Sequence, residues 1–102
     1  MKFKIFPAVL CWTLAATAYA QAPSAAQARN WAASCAACHG TNGQAQPGMI
    51  SLAGVPQEVI AQKMLDFKAG RLPAATIMHQ LAKGYTDDEI NAIAAHFAAQ
   101  KK

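Results

Sequence analysis

Residues 34–43 read SCAACHGTNG, and this short stretch restricts what the chain can be more than any other. Two cysteines, Cys35 and Cys38, are separated by two residues, and His39 follows the second cysteine directly. On a helical turn, residues three apart lie on the same face, so both sulfur atoms would point in one direction. The stretch therefore predicts a site at which two thiols and an imidazole act together.

Three kinds of site contain a C-x-x-C pair. A thioredoxin-like redox pair belongs to a βαβ context, and no strand pattern precedes Cys35. A zinc site needs two further ligands at finger-like spacing, whereas His79 and His96 are near neither each other nor another cysteine. The third kind, C-x-x-C-H, is the attachment sequence of c-type haem. We therefore expect Cys35 and Cys38 to carry a covalent haem c and His39 to bind its iron.

The N-terminal residues have the composition of an export signal. Two lysines precede an apolar run at 5–18, and residues 18–20 have the small-x-small pattern that a signal peptidase cuts. A membrane-spanning helix needs about 20 apolar residues, so a retained anchor is the weaker interpretation. We expect a cleaved signal peptide at 1–20, a single mature domain at 21–102, a periplasmic location and no membrane anchor after cleavage.

The charge and size of the mature chain limit its partners and its core. Removal of two signal lysines leaves seven Lys and Arg against five Asp and Glu, and no basic run is interleaved with aromatic residues, which argues against nucleic acid. A domain over residues 21–102 that is rich in alanine has little apolar volume to bury. A large apolar cofactor would supply the missing core.

Capping signals and apolar periodicity predict an all-α fold of three to five helices. Ser24 and Gln27 form a capping box, and a second box begins at Thr86. Glycine, asparagine and proline mark 40–54 as a loop. The predicted helices run from about 25 into the cysteine pair, from Pro56 to about Gly70, from about 74 to 83, and from Thr86 through the last apolar positions.

The mature chain resembles the small class I c-type cytochromes along nearly all its length. Within that class it is most similar to the monohaem cytochrome subunit of flavocytochrome c sulfide dehydrogenases. The motifs that carry the resemblance are CAACHG at 35–40, PGMISLAG at 47–54, TIMHQLAKGYTDDEI at 76–90 and IAAHFA at 93–98. The resemblance implies a class I cytochrome c fold, with its helices wrapped around one covalent haem.

The second axial ligand of the iron has several candidates. Met64 falls on an apolar helix face, which is typical of core packing, and Met49 lies in the loop soon after His39. The resemblance implies Met78, because the family places its distal methionine before the capped last helix. His79 adjoins Met78 and remains an alternative ligand, although we expect it to point outward. Adjacent helical residues point about 100° apart, so one of the two would face the iron.

The resemblance also suggests supporting residues. Pro47 aligns with the family proline whose backbone carbonyl accepts a hydrogen bond from the iron-bound histidine. Trp31 is expected to pack where the first and last helices cross. His96 stands where the family usually has an aromatic residue, and we expect it to be partly buried. Tyr85 either approaches the haem or simply precedes the last helix.

Two functions of different classes follow from this site. With both axial positions filled, the iron has no position for a substrate, and the chain is a monohaem electron carrier rather than an enzyme. The resemblance implies a sulfide-oxidising flavoprotein as donor and another cytochrome or an oxidase as acceptor. The alternative is a haem-based sensor or a small peroxidase-like enzyme, with an open or labile sixth position. Four basic residues could guide docking: Lys63, Lys68, Arg71 and Lys83.

Overall fold

A computed structural model describes residues 2–3 and 21–102 of the chain. Within these residues the structure contains α-helices, 3₁₀ turns and loops, and no strand. The expected all-α fold is therefore confirmed. The apolar run and cleavage pattern of the predicted signal peptide lie outside the described residues. No helix in the described part is long and apolar enough to cross a membrane.

The first helical segment begins at the predicted capping box. Helix α1 spans Ala25–Ala32, with the Ser24 hydroxyl accepting from the Gln27 backbone N–H and the Gln27 side chain accepting from the Ser24 backbone N–H. A 3₁₀ turn over Ala33–Cys35 leads directly into helix α2 at Ala36–His39. The chain thus stays helical from the cap to the histidine, because alanine dominates the segment and nothing breaks it before Gly40.

Three further helices follow the loop. They are α3 at Gln57–Lys68, α4 at Met78–Ala82 and α5 at Asp87–Ala98. Thr86 caps α5 by accepting from the Glu89 backbone N–H at 3.2 Å. Helix α4 begins about four residues later than the sequence suggested. A turn that contains Pro73 is closed by the Ala75 N–H donating to the Leu72 carbonyl, and Ile77 adopts a non-helical φ of −134°. β-Branched residues before Met78 lower helix propensity at that position.

The core is small and forms where α1, α3, α4 and α5 pack on one another. Its largest fully buried side chains all belong to α5 and are Ile90, Ile93 and Phe97. Alanines fill much of the remainder, and Trp31 packs against the cluster as expected. Met64 is buried in this core, as its place on an apolar helix face predicted. The alanine content leaves a limited apolar volume for the chain to bury by itself.

The loop at 40–54 is closed on itself and attached to α5. The Gly43 carbonyl accepts from the backbone N–H groups of Leu52 at 2.8 Å and Ala53 at 3.1 Å. The Gly54 N–H donates to the Phe97 carbonyl at the end of α5. Because its two ends are paired, the loop holds a defined position beside α2.

Candidate functional site

The two cysteines lie one turn apart on a continuous helical segment. Cys35 ends the 3₁₀ turn with φ −74° and ψ −23°, and Cys38 belongs to α2. Both are free thiols, Cys35 half-buried and Cys38 exposed. The geometry presents two reactive sulfur atoms from one short segment, as attachment to the edge of a porphyrin requires.

Burial changes the chemistry of one thiol. Desolvation raises the pKa of the Cys35 thiol above its ordinary value, and the neighbouring Ser34 side chain lowers it to a lesser extent. The thiol is therefore protonated at neutral pH before any thioether forms. Such a group behaves as a half-buried apolar side chain until it reacts.

His39 is oriented by a backbone carbonyl. Its Nδ1 lies 2.7 Å from the carbonyl oxygen of Ile50. A carbonyl can only accept, so Nδ1 carries the proton and Nε2 keeps its lone pair for a metal. Metal-bound histidines usually have such a partner, which fixes both tautomer and ring orientation.

The acceptor of this hydrogen bond differs from the prediction. The resemblance indicated the carbonyl of Pro47, but the structure places the Ile50 carbonyl at His39. A turn in which the Met49 N–H donates to the Gln46 carbonyl, with Gly48 at φ +92°, carries the chain past the proline. Ile50 therefore reaches the ring, while Pro47 is exposed.

Gly40 ends the helix immediately after the histidine. It has φ +81°, in the region that favours glycine, and a Cβ there would collide with the Gln44 carbonyl oxygen. The glycine after C-x-x-C-H thus redirects the chain into the loop that returns to His39.

The candidate distal residues lie at the start of α4. Met78 is the first residue of this helix, half-buried and packed against the core cluster that also contacts Cys35. His79 is half-buried, and its Nδ1 is buried without a hydrogen-bond partner among the described residues. Its ring is thus less fully turned to solvent than the sequence suggested. Met49 is exposed in the loop.

Apolar side chains are exposed beside both candidate ligands. Ile50, whose carbonyl holds His39, is 73% exposed, and Ile77 and Leu81, on either side of Met78, are 53% and 51% exposed. Exposed large apolar groups on two segments of so small a chain indicate a surface that something apolar covers. A porphyrin fits this requirement, and an imidazole with a prepared lone pair and a thioether are suitable donors for its iron.

No group of three or more His, Cys, Asp or Glu residues able to hold a bare metal ion occurs among residues 2–3 and 21–102. The candidate ligands are the His39 imidazole and either the Met78 thioether or the His79 imidazole. Two such ligands are too few to hold a bare metal ion. Such a set suits an iron whose remaining ligands come from a macrocycle.

Sequence reasoning missed a polar cluster that includes Ser34, the residue before Cys35. The Tyr85 hydroxyl lies 2.9 Å from Ser34 Oγ, and Lys68 Nζ donates to the Tyr85 carbonyl at 2.8 Å and to Asp87 at 2.9 Å. The Ser34–Tyr85 pair is separated by 51 residues, and no local pattern in the sequence indicates it.

A family model for cytochrome c matches residues 24–100. The chain belongs to the cytochrome c family. Membership implies a covalently bound haem c, and Cys35 and Cys38 stand in the C-x-x-C-H position that attaches it. It also indicates electron transfer rather than catalysis as the task of this cytochrome.

Several known cytochromes are similar to this chain. It is 42% identical over 69 residues to the cytochrome subunit of sulfide dehydrogenase from Chlorobaculum tepidum, covering 68% of this chain and 62% of that protein. It is 34% identical to cytochrome c4 of Azotobacter vinelandii over 90% of this chain and 49% of that one. The thiosulfate dehydrogenase electron acceptor of Thiomonas intermedia is 35% identical over 87% of this chain and 42% of its own length. The matched part of this cytochrome thus covers about two fifths to three fifths of the length of these relatives.

Proposed function

We propose that this cytochrome is a periplasmic monohaem carrier of single electrons and accepts them from a sulfide-oxidising flavoprotein. Haem c, when bound, supplies an iron that cycles between Fe(III) and Fe(II). The chain supplies the attachment, the axial ligands and the docking surface. The cleaved signal at 1–20 and the mature domain at 21–102 are parts of this proposal.

The observation that carries the proposal is the hydrogen bond of 2.7 Å between His39 Nδ1 and the Ile50 carbonyl oxygen, next to a C-x-x-C pair. This hydrogen bond supports the proposal because it leaves the lone pair of Nε2 available in a fixed direction, as binding of iron would need. Cys35 and Cys38 would bear the thioethers, so the iron-binding histidine and both attachment points come from one rigid helical segment.

Met78 is proposed as the second iron ligand. It begins α4 and packs on the core that Cys35 also contacts, so α4 and the attachment segment are held against a common support. A thioether ligand stabilises the reduced iron and raises the reduction potential. Ile50, and not Pro47, provides the backbone carbonyl that orients His39.

The donor is proposed from the similarity to a sulfide dehydrogenase subunit, and the proposed acceptor is another cytochrome or an oxidase. Of the four basic residues considered for docking, Lys68 pairs with Asp87 and Arg71 with Asp66. Lys63 and Lys83 are exposed and are the better candidates to meet an acidic partner surface.

A reconstitution experiment tests the donor. The haem-loaded mature chain is mixed with a flavin-containing sulfide dehydrogenase subunit, and reduction of the haem by sulfide is followed in the visible spectrum. Faster reduction than by sulfide alone, together with a stoichiometric complex on gel filtration, supports the proposal. A cytochrome that runs alone and gains no rate contradicts it. Thiosulfate with a thiosulfate dehydrogenase is the matched comparison, because one relative is an electron acceptor of that enzyme.

The sensor or peroxidase-like alternative predicts different ligand chemistry. An open or labile iron in the reduced protein binds carbon monoxide rapidly, whereas a histidine–methionine pair resists it. Slow binding of carbon monoxide supports the electron-carrier function. Rapid binding favours the sensor or peroxidase-like function.

A further inference from the structure

A directed chain of hydrogen bonds joins Tyr85 to the segment that contains Cys35. Ser34 Oγ donates to the Trp31 carbonyl at 3.0 Å and lies 2.9 Å from the Tyr85 hydroxyl. A serine hydroxyl has one proton, and the Trp31 carbonyl takes it. Tyr85 must therefore donate to Ser34, and the chain runs from Tyr85 through Ser34 to Trp31.

The backbone of Tyr85 is fixed on its other side by three helices. Its carbonyl accepts from Lys68 Nζ at the end of α3, and the same ammonium pairs with Asp87 at the start of α5. Its N–H donates to the carbonyl of Ala82, the last residue of α4, at 3.3 Å. The ring is half-buried and packs on the core.

Tyr85 thus connects two parts of the chain that bear on the iron. Helix α4, which begins with Met78, ends three residues before it, and Ser34 directly precedes Cys35. A displacement of α4 away from the attachment segment must stretch the bond between the Tyr85 and Ser34 hydroxyls. This bond lies at the surface, so its loss costs the whole fold little.

We propose that Tyr85 is a positioning residue for electron transfer, whose hydroxyl holds α4, and so Met78, at a fixed separation from Cys35. The inference rests on the proposed ligand set. Without the Tyr85 hydroxyl, α4 would be held less firmly and Met78 would dissociate from the iron more often. The expected effect is therefore on the rate of ligand release and not on the stability of the whole fold. A carrier that keeps both axial ligands needs that release to be rare.

Tyr85→Phe in the haem-loaded full chain tests this, because it removes the hydroxyl and keeps the ring in the core. The readout is the rate at which added imidazole displaces methionine from ferric iron, followed by loss of the methionine-to-iron charge-transfer band. We expect an increase of about fivefold, the factor that corresponds to one ordinary hydrogen bond. Ser34→Ala should give the same increase, and the double variant no more than either alone, because both remove one bond.

Asn91→Ala is the matched control. Asn91 donates to the Asp87 carbonyl at 3.0 Å in the first turns of α5 and makes no bond to Ser34 in the described part of the chain. Its displacement rate should equal that of the unaltered protein.

Each of the following results would overturn the inference. An unchanged rate in Tyr85→Phe does so, as does a fully additive double variant. A lower denaturation midpoint with an unchanged displacement rate makes Tyr85 merely structural. If the unaltered protein has no charge-transfer band, the Met78 assignment itself fails and the inference with it, and this is seen before any variant is compared.

Discussion

His39 Nδ1 donates to the carbonyl oxygen of Ile50, eleven residues further along the chain, across 2.7 Å. The relationship exists because the loop between them is closed at Gly43, whose carbonyl accepts from Leu52 and Ala53. The orientation of the iron-binding imidazole therefore depends on the loop as a whole. A substitution that opens the loop would release the ring without touching it.

Gly43→Ala should destabilise the protein more than Gly48→Ala. Both glycines have positive φ, at +78° and +92°, and each substitution strains the backbone by about 1–2 kcal/mol. A Cβ at Gly43 would also lie 2.8 Å from Phe97 Cδ1 and 2.8 Å from the Ala53 nitrogen, whereas a Cβ at Gly48 meets nothing within 4 Å.

We expect this crowding to cost Gly43→Ala about 1–3 kcal/mol beyond the strain shared with Gly48→Ala. Guanidinium unfolding of the two haem-loaded variants measures the difference. Equal losses would show that the loop does not pack tightly on α5.

Phe97→Ala should lower the free energy of unfolding by about 3–5 kcal/mol, because Phe97 is 2% exposed and its truncation removes a large buried side chain from the core. Val59→Ala is the control, since Val59 on α3 is 49% exposed and its truncation should cost about 0.5 kcal/mol or less. Chemical denaturation of both variants gives the comparison. Similar costs at the two positions would contradict the packing described for α5.

Arg71 should lower the pKa of Asp66. The Arg71 Nε donates to the carboxylate at 2.8 Å, and this bond, followed by one from Gln62, holds the pKa of Asp66 below its usual value. In Arg71→Gln, carbon-13 NMR of the carboxyl group should show the pKa rising towards that value. Lys63→Gln is the control, since Lys63 contributes least to the shift and its loss should move the pKa less.

The lowered pKa also fixes the sign of the pH dependence. A carboxyl group whose folded pKa is depressed contributes stability above its unfolded pKa, about 3.9, and loses it as the pH falls through the folded pKa. The unaltered protein should therefore lose this small contribution only below about pH 4. A pKa of Asp66 that is unmoved by Arg71→Gln would contradict the assignment.

The sequence predicted the local features of the fold well. Capping residues Ser24 and Thr86 mark helix starts that the structure confirms, since a cap depends only on neighbours three residues away. The cysteine pair and its histidine are likewise a local pattern. Met64 was correctly expected in the core, because apolar periodicity shows which helix face is buried.

Features that depend on distant parts of the chain could not be read in this way. The Ile50 carbonyl takes the place expected of Pro47, since the path of a glycine-containing loop is set by tertiary pairing at its ends. The late start of α4 after Pro73 reflects a turn that competes with a short helix. The bond between Ser34 and Tyr85 requires the whole fold to bring the two hydroxyls together.

Substitutions at the start of α4 distinguish between the two candidate distal ligands, Met78 and His79. Met78→Ala should abolish the methionine-to-iron charge-transfer band and allow the reduced protein to bind carbon monoxide, because it removes the thioether. His79→Ala should leave the band in place. The adjacent pair is a matched comparison, since both side chains are half-buried on the same short helix.

Ligation of the haem iron by His39 and Met78 is tested most directly by the visible and near-infrared spectrum of the oxidised, haem-loaded protein beside that of Met78→Ala. We expect a charge-transfer band from methionine to iron that disappears in the variant. A band that is missing from the unaltered protein, or that survives in Met78→Ala, would contradict ligation by Met78.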